Sequence, residues 1–291
     1  MNISTRVAFA ACVALGAVVP ASANHSWGGF HWANGTSRTL EVRRAFINTT
    51  ATSAAKWTTL FSNAMADWQG KPLSFNVTNA PAGTDPKQCR PISGQTLVCN
   101  SAYGQRGWLG IATVWASGGH ISQATTKLND TYYAMSRYNS DAWRQMVACQ
   151  EVGHNWGLDH QDETFNNVNL GSCMDYTNAP EGGVLNGFNY GPSNVHANNT
   201  DYSHLTGFYN HSDGGAGSTN FGVREVGKPG AVGAPAGFNA AVGDTAAEWG
   251  RAIHSDSLGR PDVFLKDFGN GYKRLTHVFW ALEAKGHEAH E

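Results

Sequence analysis

A short stretch near the middle of the chain places two histidines, a glutamate and a glycine at fixed spacings around the end of a helix. It runs from residue 149 to 160 and reads CQEVGHNWGLDH. Residues three and four apart lie on one face of an α-helix, so Glu151 and His154 share the last helical turn. Gly157 ends the helix, because glycine readily adopts the left-handed conformation found there. The chain that turns at this glycine is therefore expected to return His160 toward His154.

These residue types at these spacings are typical of a zinc site with three protein ligands. In the pattern H-E-x-x-H-x-x-G-x-x-H, the three histidines bind zinc and the glutamate is the general base. Here His154 and His160 occupy the second and third ligand positions, Glu151 occupies the base position, and the first ligand position holds Gln150. The sequence predicts a Zn²⁺ cofactor held by Gln150, His154 and His160, with Glu151 taking a proton from a zinc-activated water.

A second motif follows at a distance, where Met174 stands in the pentapeptide SCMDY. With both motifs the chain resembles the metzincin clan of zinc endopeptidases, in particular its matrixin-like and astacin-like members, over residues 38–211. The resemblance implies a turn at Met174 beneath the metal and an oxyanion-stabilising role for Tyr176. It also implies an α+β, zincin-like fold with a twisted sheet and two main helices, and a peptide or protein substrate that pairs with the edge strand 109–115.

Gln150 departs from the pattern and leaves three alternatives. Its carbonyl oxygen could bind zinc, but more weakly than an imidazole nitrogen. A metal could instead rest on the two histidines and Tyr176, without Gln150. In the third alternative no metal binds, and the chain is an inactive binding module with a metzincin-like fold. Glu151 has no packing value at this position, which favours the hypothesis of a zinc endopeptidase that hydrolyses peptide bonds.

The first 23 residues and the cysteines indicate export. Residues 1–23 join one early cation, a thirteen-residue apolar run at 7–19 and small residues before the expected cleavage site, which is typical of a signal peptide. Four of the five cysteines lie beyond it, and an even number in an oxidising compartment suggests two disulfides. Three pairings are possible, and Cys89–Cys99 with Cys149–Cys173 is favoured. Thiolate metal ligation lacks the usual C-x-x-C spacing. The sequence predicts a secreted protein, extracellular or periplasmic.

Composition narrows the classes of partner. Charged residues make up 14% of the chain and the net charge is -2, so no basic footprint for nucleic acid is present. The apolar run at 7–19 is too short to span a bilayer and no later run is longer, which argues against membrane insertion.

Hydrophobic periodicity and turn residues divide the chain into a catalytic domain at 24–211, a Gly/Pro/Ala-rich linker at 212–237 and a β-rich extension at 238–291. A loop stapled by a disulfide is expected at 80–107, and a hairpin that turns at 269–271 is expected near the C-terminus. His120, His196 and His204 are interpreted as ordinary histidines, and the tail with His287 and His290 as a solvated end. Strands are predicted at 38–47, 73–77, 108–115, 121–128, 246–254 and 263–282, and helices at 50–69, 141–156 and 200–209.

Overall fold

A computed structural model describes residues 29–33, 39–213 and 233–284. The predicted signal peptide, most of the linker and the tail histidines lie outside the described residues. The strands are β1 (His31–Trp32), β2 (Thr39–Ala45), β3 (Ser74–Asn79), β4 (Gln95–Ser101), β5 (Trp108–Ser117), β6 (His120–Asn129), β7 (Val184–Leu185), β8 (Phe188–Asn189), β9 (Arg251–Ser255), β10 (Pro261–Gly269) and β11 (Tyr272–Trp280). The helices are α1 (Ser53–Trp68), α2 (Asp130–Tyr133), α3 (Asp141–Asn155), α4 (Asn199–Tyr209) and α5 (Ala246–Trp249).

One mixed sheet organises the fold, which is of the mixed α and β class. Its strand order is β3-β2-β4-β6-β5-β11-β10-β9, with β1 paired to β6. The pairs β2–β3, β2–β4 and β4–β6 are parallel, whereas β5 runs antiparallel to β6. The helices α1 and α3 contact each other, and α3 packs on β5 and β6. Among the described residues, no helix is long and apolar enough to cross a membrane.

Helix α3 begins and ends close to the predicted positions. The Ser140 side chain accepts a hydrogen bond from the backbone N–H of Trp143, which satisfies one of the free donors of the first turn. Gly157 follows the helix with φ +102°, a conformation that favours glycine, and an added Cβ there would collide with the carbonyl oxygen of Phe30. The N-cap and the helix-terminating glycine predicted from the sequence are thus confirmed.

Two local predictions differ from the structure. The region 80–107 is not all loop, because β4 lies within it and pairs with β2 and β6, with Leu97 and Val98 fully buried. The strand predicted at 246–254 begins with the helical turn α5. Glu248 accepts a hydrogen bond from the Asp244 N–H, which closes this turn, and Gly250 at φ +115° ends it before β9. The predicted C-terminal hairpin is confirmed as β10 and β11.

The strand β5 does not lie at an edge of the sheet, so the prediction of a free edge strand at 109–115 is wrong. Strand β11 pairs antiparallel with β5 along its full length, from Tyr272 opposite Ser117 to Trp280 opposite Trp108. Side chains alternate between the two faces of a strand. Accordingly, Leu275 and Phe279 join the core that contains α3, whereas the side chains that alternate with them enter a second aromatic cluster on the opposite face.

Because β11 is a buried strand within the sheet, the C-terminal extension is an integral part of the fold. Leu275, Val278, Phe279 and Trp280 are each at most 4% exposed. Burial of one such side chain contributes about 1.5–3 kcal/mol, so the four together contribute roughly 6–12 kcal/mol. This is comparable to the whole stability of an ordinary domain, about 5–15 kcal/mol.

We expect Trp280→Ala to destabilise the whole described fold in one transition. Trp280 packs on Trp249 and donates a hydrogen bond from its indole N–H to the carbonyl oxygen of Pro261, 2.7 Å away. Removal of a buried Trp side chain costs about 3–5 kcal/mol, which corresponds to a fall in Tm of about 6–20 °C. Leu258→Ala in the same extension removes a side chain that is 57% exposed and is the control. Two separate calorimetric transitions in the wild type would contradict an integral extension.

Candidate metal centre

Three buried histidines meet between helix α3, the turn after it and strand β11. They are His154, His160 and His277, and one ring nitrogen of each lies within 4.8 Å of the others. The Nε2 atoms of His154 and His160 are 3.1 Å apart. The His277 ring stacks on the His154 ring at a centroid distance of 4.0 Å. The three side chains form a compact group of imidazoles, which we call the central histidine group.

Hydrogen bonds at the outer nitrogens fix the tautomers of two of these rings. The Nδ1 of His154 is 2.9 Å from the carbonyl oxygen of Leu158, and the Nδ1 of His160 is 3.1 Å from a carboxylate oxygen of Glu163. Both partners only accept, so each Nδ1 carries a proton, and the Nε2 of each ring faces the other ring. A carbonyl or carboxylate behind the ring is the usual arrangement for a histidine that binds a metal.

This donor set fits zinc. Tetrahedral zinc takes imidazole nitrogens at about 2.0–2.1 Å, which places two of them about 3.4 Å apart, close to the observed 3.1 Å between His154 and His160. Burial lowers the pKa of His154 and of His277 well below the usual range, and the neighbouring rings lower both further. Burial is the largest single effect on His160 and acts to lower its pKa, but the hydrogen bond to Glu163 and the charges of Glu163, Asp159 and Asp262 together raise it. His154 and His277 are therefore neutral at pH 7, as metal binding requires.

Gln150 is held by a hydrogen bond to the turn at Met174. The third member of the central histidine group is a different residue, His277. The side-chain amide N–H of Gln150 donates to the carbonyl oxygen of Cys173 at 2.8 Å. Its Oε1 is buried and accepts no hydrogen bond within the described part of the chain. His277 lies opposite Ala112 across the β5–β11 pair and supplies the third ring. No local spacing marks His277 in the sequence, because its position depends on the pairing of strands far apart in the chain.

Glu151 lies against β5 close to the central histidine group. A Cβ added at Gly110 would lie 2.6 Å from its Oε1, so the missing side chain of Gly110 makes room for the carboxyl group. Burial raises the pKa of Glu151 well above its usual range, and the backbone N–H of Ala112 opposes this only in part. Ala112 is also the residue opposite His277. The carboxyl group and the third histidine thus both lie against the stretch of β5 between Gly110 and Ala112.

Met174 packs against helix α3. A Cβ added at Gly153 would lie 2.5 Å from the Met174 sulfur, so the glycine permits close packing beside His154. A disulfide joins Cys149, next to Gln150, to Cys173, next to Met174, with a Cα–Cα distance of 5.9 Å. A second disulfide joins Cys89 and Cys99. Both predicted pairings are confirmed, and the first clamps the helix onto the turn.

Tyr176 packs beside the central histidine group. Its ring lies 4.3 Å from the His160 ring and stacks on Phe165 at 4.8 Å. Burial raises the pKa of Tyr176 well above its usual range, and the charges of nearby carboxylates raise it further. The phenol therefore stays protonated and remains a hydrogen-bond donor at any physiological pH.

Three other histidines lie outside this group, as the sequence indicates for ordinary histidines. The Nδ1 of His196 is 2.9 Å from a carboxylate oxygen of Asp67. His204 is part of α4. His120 begins β6, and the Nε2 of its ring lies 3.4 Å from a carboxylate oxygen of Asp213.

Comparison with known proteins adds no family assignment. No protein-family model matches the chain, and no curated protein is significantly similar to it. The interpretation of the site therefore depends on the residues and the geometry described above.

We expect removal of the Cys149–Cys173 disulfide by double alanine substitution to weaken metal binding as well as the fold. The bridge closes a loop with a sequence separation of 24, and its loss costs about 3 kcal/mol, or about 6–12 °C in Tm. The Cys89–Cys99 pair, with a separation of 10, is the matched control. Its removal lowers Tm by a similar amount but leaves zinc affinity unchanged. Equal zinc affinities in both double variants would contradict a role for the clamp at the site.

We expect Gly110→Ala to displace the Glu151 carboxyl group while zinc still binds. The new Cβ would lie 2.6 Å from Glu151 Oε1 and 2.7 Å from a methyl carbon of Val147. Such overpacking costs about 1–3 kcal/mol, measurable by chemical unfolding. Gly207→Ala in α4 is the control, since its added Cβ meets no atom within 4 Å. Equal unfolding free energies for the two variants would contradict the close approach of Glu151 to β5.

Proposed function

We propose that this chain is a zinc-dependent hydrolase that cleaves peptide bonds, with His154, His160 and His277 as the metal ligands. The observation that carries the proposal is the position of His277. Its ring completes a set of three imidazoles where Gln150 breaks the sequence pattern. Three buried imidazoles that approach one another from α3, the turn after it and β11 form a nitrogen donor set of the kind that binds zinc.

A zinc ion held by His154, His160 and His277 would supply Lewis acidity, which lowers the pKa of a water molecule and polarises a peptide carbonyl. Glu151 is the proton carrier in this proposal. Its carboxyl group is buried, and burial raises its pKa, so it holds a proton more strongly than a carboxyl group in water does. Glu151 would take a proton from the attacking water and give it to the leaving amine.

Tyr176 is proposed to stabilise the negative charge that develops on the carbonyl oxygen. It packs on the His160 ring, and its phenol stays protonated. A fixed donor in a site with little water is worth more than the same donor in solvent. The buried Phe165 and Phe279 rings contact Tyr176 and hold its orientation.

Because β11 pairs with β5, a substrate cannot bind along β5 as it would along an edge strand. The backbone groups of β5 are paired with β6 and β11, so an extended peptide does not add to this strand. The central histidines are at most 6% exposed. A peptide therefore reaches the site only when the chain around it opens, and we expect turnover to be slow.

A second candidate function, a zinc-containing binding module without hydrolytic activity, follows from the same coverage. Burial of the apolar side chains of β11 against the sheet contributes roughly 6–12 kcal/mol. This free energy opposes opening of the chain around the site. In this alternative the metal stabilises the fold, and Glu151 is a remnant of the catalytic pattern.

Export is part of both proposals. The two disulfides are compatible with an oxidising compartment. The signal-peptide pattern at 1–23 supports delivery to the periplasm or the extracellular medium.

Metal content and hydrolysis measured side by side on the full chain test the proposal. We expect His277→Gln to lose one zinc relative to the wild type, while His196→Gln, at an exposed histidine outside the site, retains it. Glu151→Gln should keep the zinc and lower the cleavage of an unstructured protein substrate about 10²–10⁴-fold. Wild-type zinc content in His277→Gln would contradict the ligand assignment.

The same measurements separate the two candidate functions. Zinc bound at the central histidine group with no cleavage that depends on Glu151 identifies the binding module. Cleavage that chelators abolish and that Glu151→Gln removes identifies the peptidase. Gln150→His supplies a further comparison, because a second potential imidazole ligand on α3 would compete with His277 for the metal.

A further inference from the structure

A second group of histidines lies near the C-terminal end of helix α3, where the described N-terminal strand meets the last residues after α4. It consists of His31 in β1, His120 at the start of β6, and His211 with Asp213 beyond α4. Strand β1 runs parallel to β6 with His31 and His120 as register partners. We call these four residues the peripheral histidine group.

The side chains of the peripheral group are joined through Asp213. The Nε2 of His211 is 3.1 Å from the Nε2 of His31 and 2.9 Å from Oδ1 of Asp213. The same Oδ1 is 3.4 Å from the Nε2 of His120, and Oδ2 is 3.5 Å from the Nε2 of His31. One ligand atom each of His31, His211 and Asp213 thus lies within 4.8 Å of the other two, and His120 contacts the same carboxylate.

The orientation of His31 matches that of a metal ligand. Its Nδ1 lies 2.9 Å from the carbonyl oxygen of Gly29, which only accepts, so Nδ1 carries the proton and Nε2 presents a lone pair to the group. The ring of His211 meets the ring of His31 edge-on, at a centroid distance of 4.8 Å. A cation between the Nε2 atoms of His31 and His211 and the carboxylate of Asp213 would contact all three groups.

We propose that His31, His211 and Asp213 bind a divalent transition-metal ion, of which zinc is the best fit, at a site separate from the central histidine group. Two imidazoles and one carboxylate are ligands that zinc takes in proteins. Hard cations such as Ca²⁺ and Mg²⁺ prefer an all-oxygen set and do not suit two nitrogens. The ion would join β1 to the residues that follow α4.

A metal here would also support the turn that carries His160. The backbone N–H of Trp32, next to His31, donates to the Tyr209 hydroxyl, and that hydroxyl donates to the carbonyl oxygen of Trp156. The indole N–H of Trp32 donates to the carbonyl oxygen of Asn155 at 2.8 Å. The peripheral group is thus connected by two residues, Trp32 and Tyr209, to the end of helix α3.

The test uses the full chain in a background that cannot fill the central group. The double variant His154→Gln/His277→Gln is stripped of metal and then given zinc in equimolar amount. We expect it to bind one zinc, and we expect the further substitution of His31 and His211 by Gln to reduce this to none. His196→Gln in the same background is the control and retains the zinc. The result does not depend on whether the central group is catalytic.

Thermal unfolding supplies a second readout that separates metal binding from a folding defect. Without metal, the background variant and the His31/His211 variant should have similar Tm values. Added zinc should raise Tm only in the chain that keeps both histidines. If zinc leaves the Tm of the background variant unchanged, or if the His31/His211 variant binds as much zinc as its parent, then the group is an ion-paired cluster of histidines around Asp213 and the proposal is wrong.

Discussion

The antiparallel pairing of β5 with β11 is the interaction on which the rest of the site depends. It places His277 opposite Ala112, on the face of the sheet that α3 covers. One residue of slip would turn His277 to the opposite face, because side chains alternate along a strand. The register is secured by apolar side chains on both faces, with Phe279 in the main core and Trp280 in the second aromatic cluster. The position of His277 is thus determined by the packing of its apolar neighbours.

Around this pairing, groups that do not belong to the central histidine group hold its side chains in place. Glu163 and the Leu158 carbonyl orient two of the three imidazoles from behind. The Cys149–Cys173 bridge holds α3 on the turn at Met174. In a low-dielectric interior, unsatisfied polar groups are costly, and a cation among the rings would offset part of that cost.

The sequence predicted the parts of the site that are local in the chain. Ser140, Gly157 and the spacing of Glu151, His154 and His160 reflect helix periodicity and capping, which short stretches encode. The compartment and the number of cysteines predicted two disulfides, and the bridge at Cys149 belonged to the favoured one of three possible pairings. By contrast, β4 lies in a stretch whose proline and glycine residues indicated a loop. The helical turn α5 was predicted as a strand, and it depends on hydrogen bonds to Glu248. The sequence did not reveal His277, because its role arises from strand pairing across more than half of the chain.

The proposed use of a ligand on β11 in place of one on α3 would have a thermodynamic consequence. In the sequence pattern, the ligands lie on one helix and the turn that follows it, and the site can form when that segment folds. Here His277 reaches the other two histidines only when β11 is docked on β5, so in the proposed site metal binding and docking of the extension would be linked, and each would stabilise the other. A metal that favours the docked strand would also keep β5 covered. Under the proposed function, tight zinc binding and easy access for an extended peptide would therefore be opposed, and slow turnover would be the expected result of that opposition.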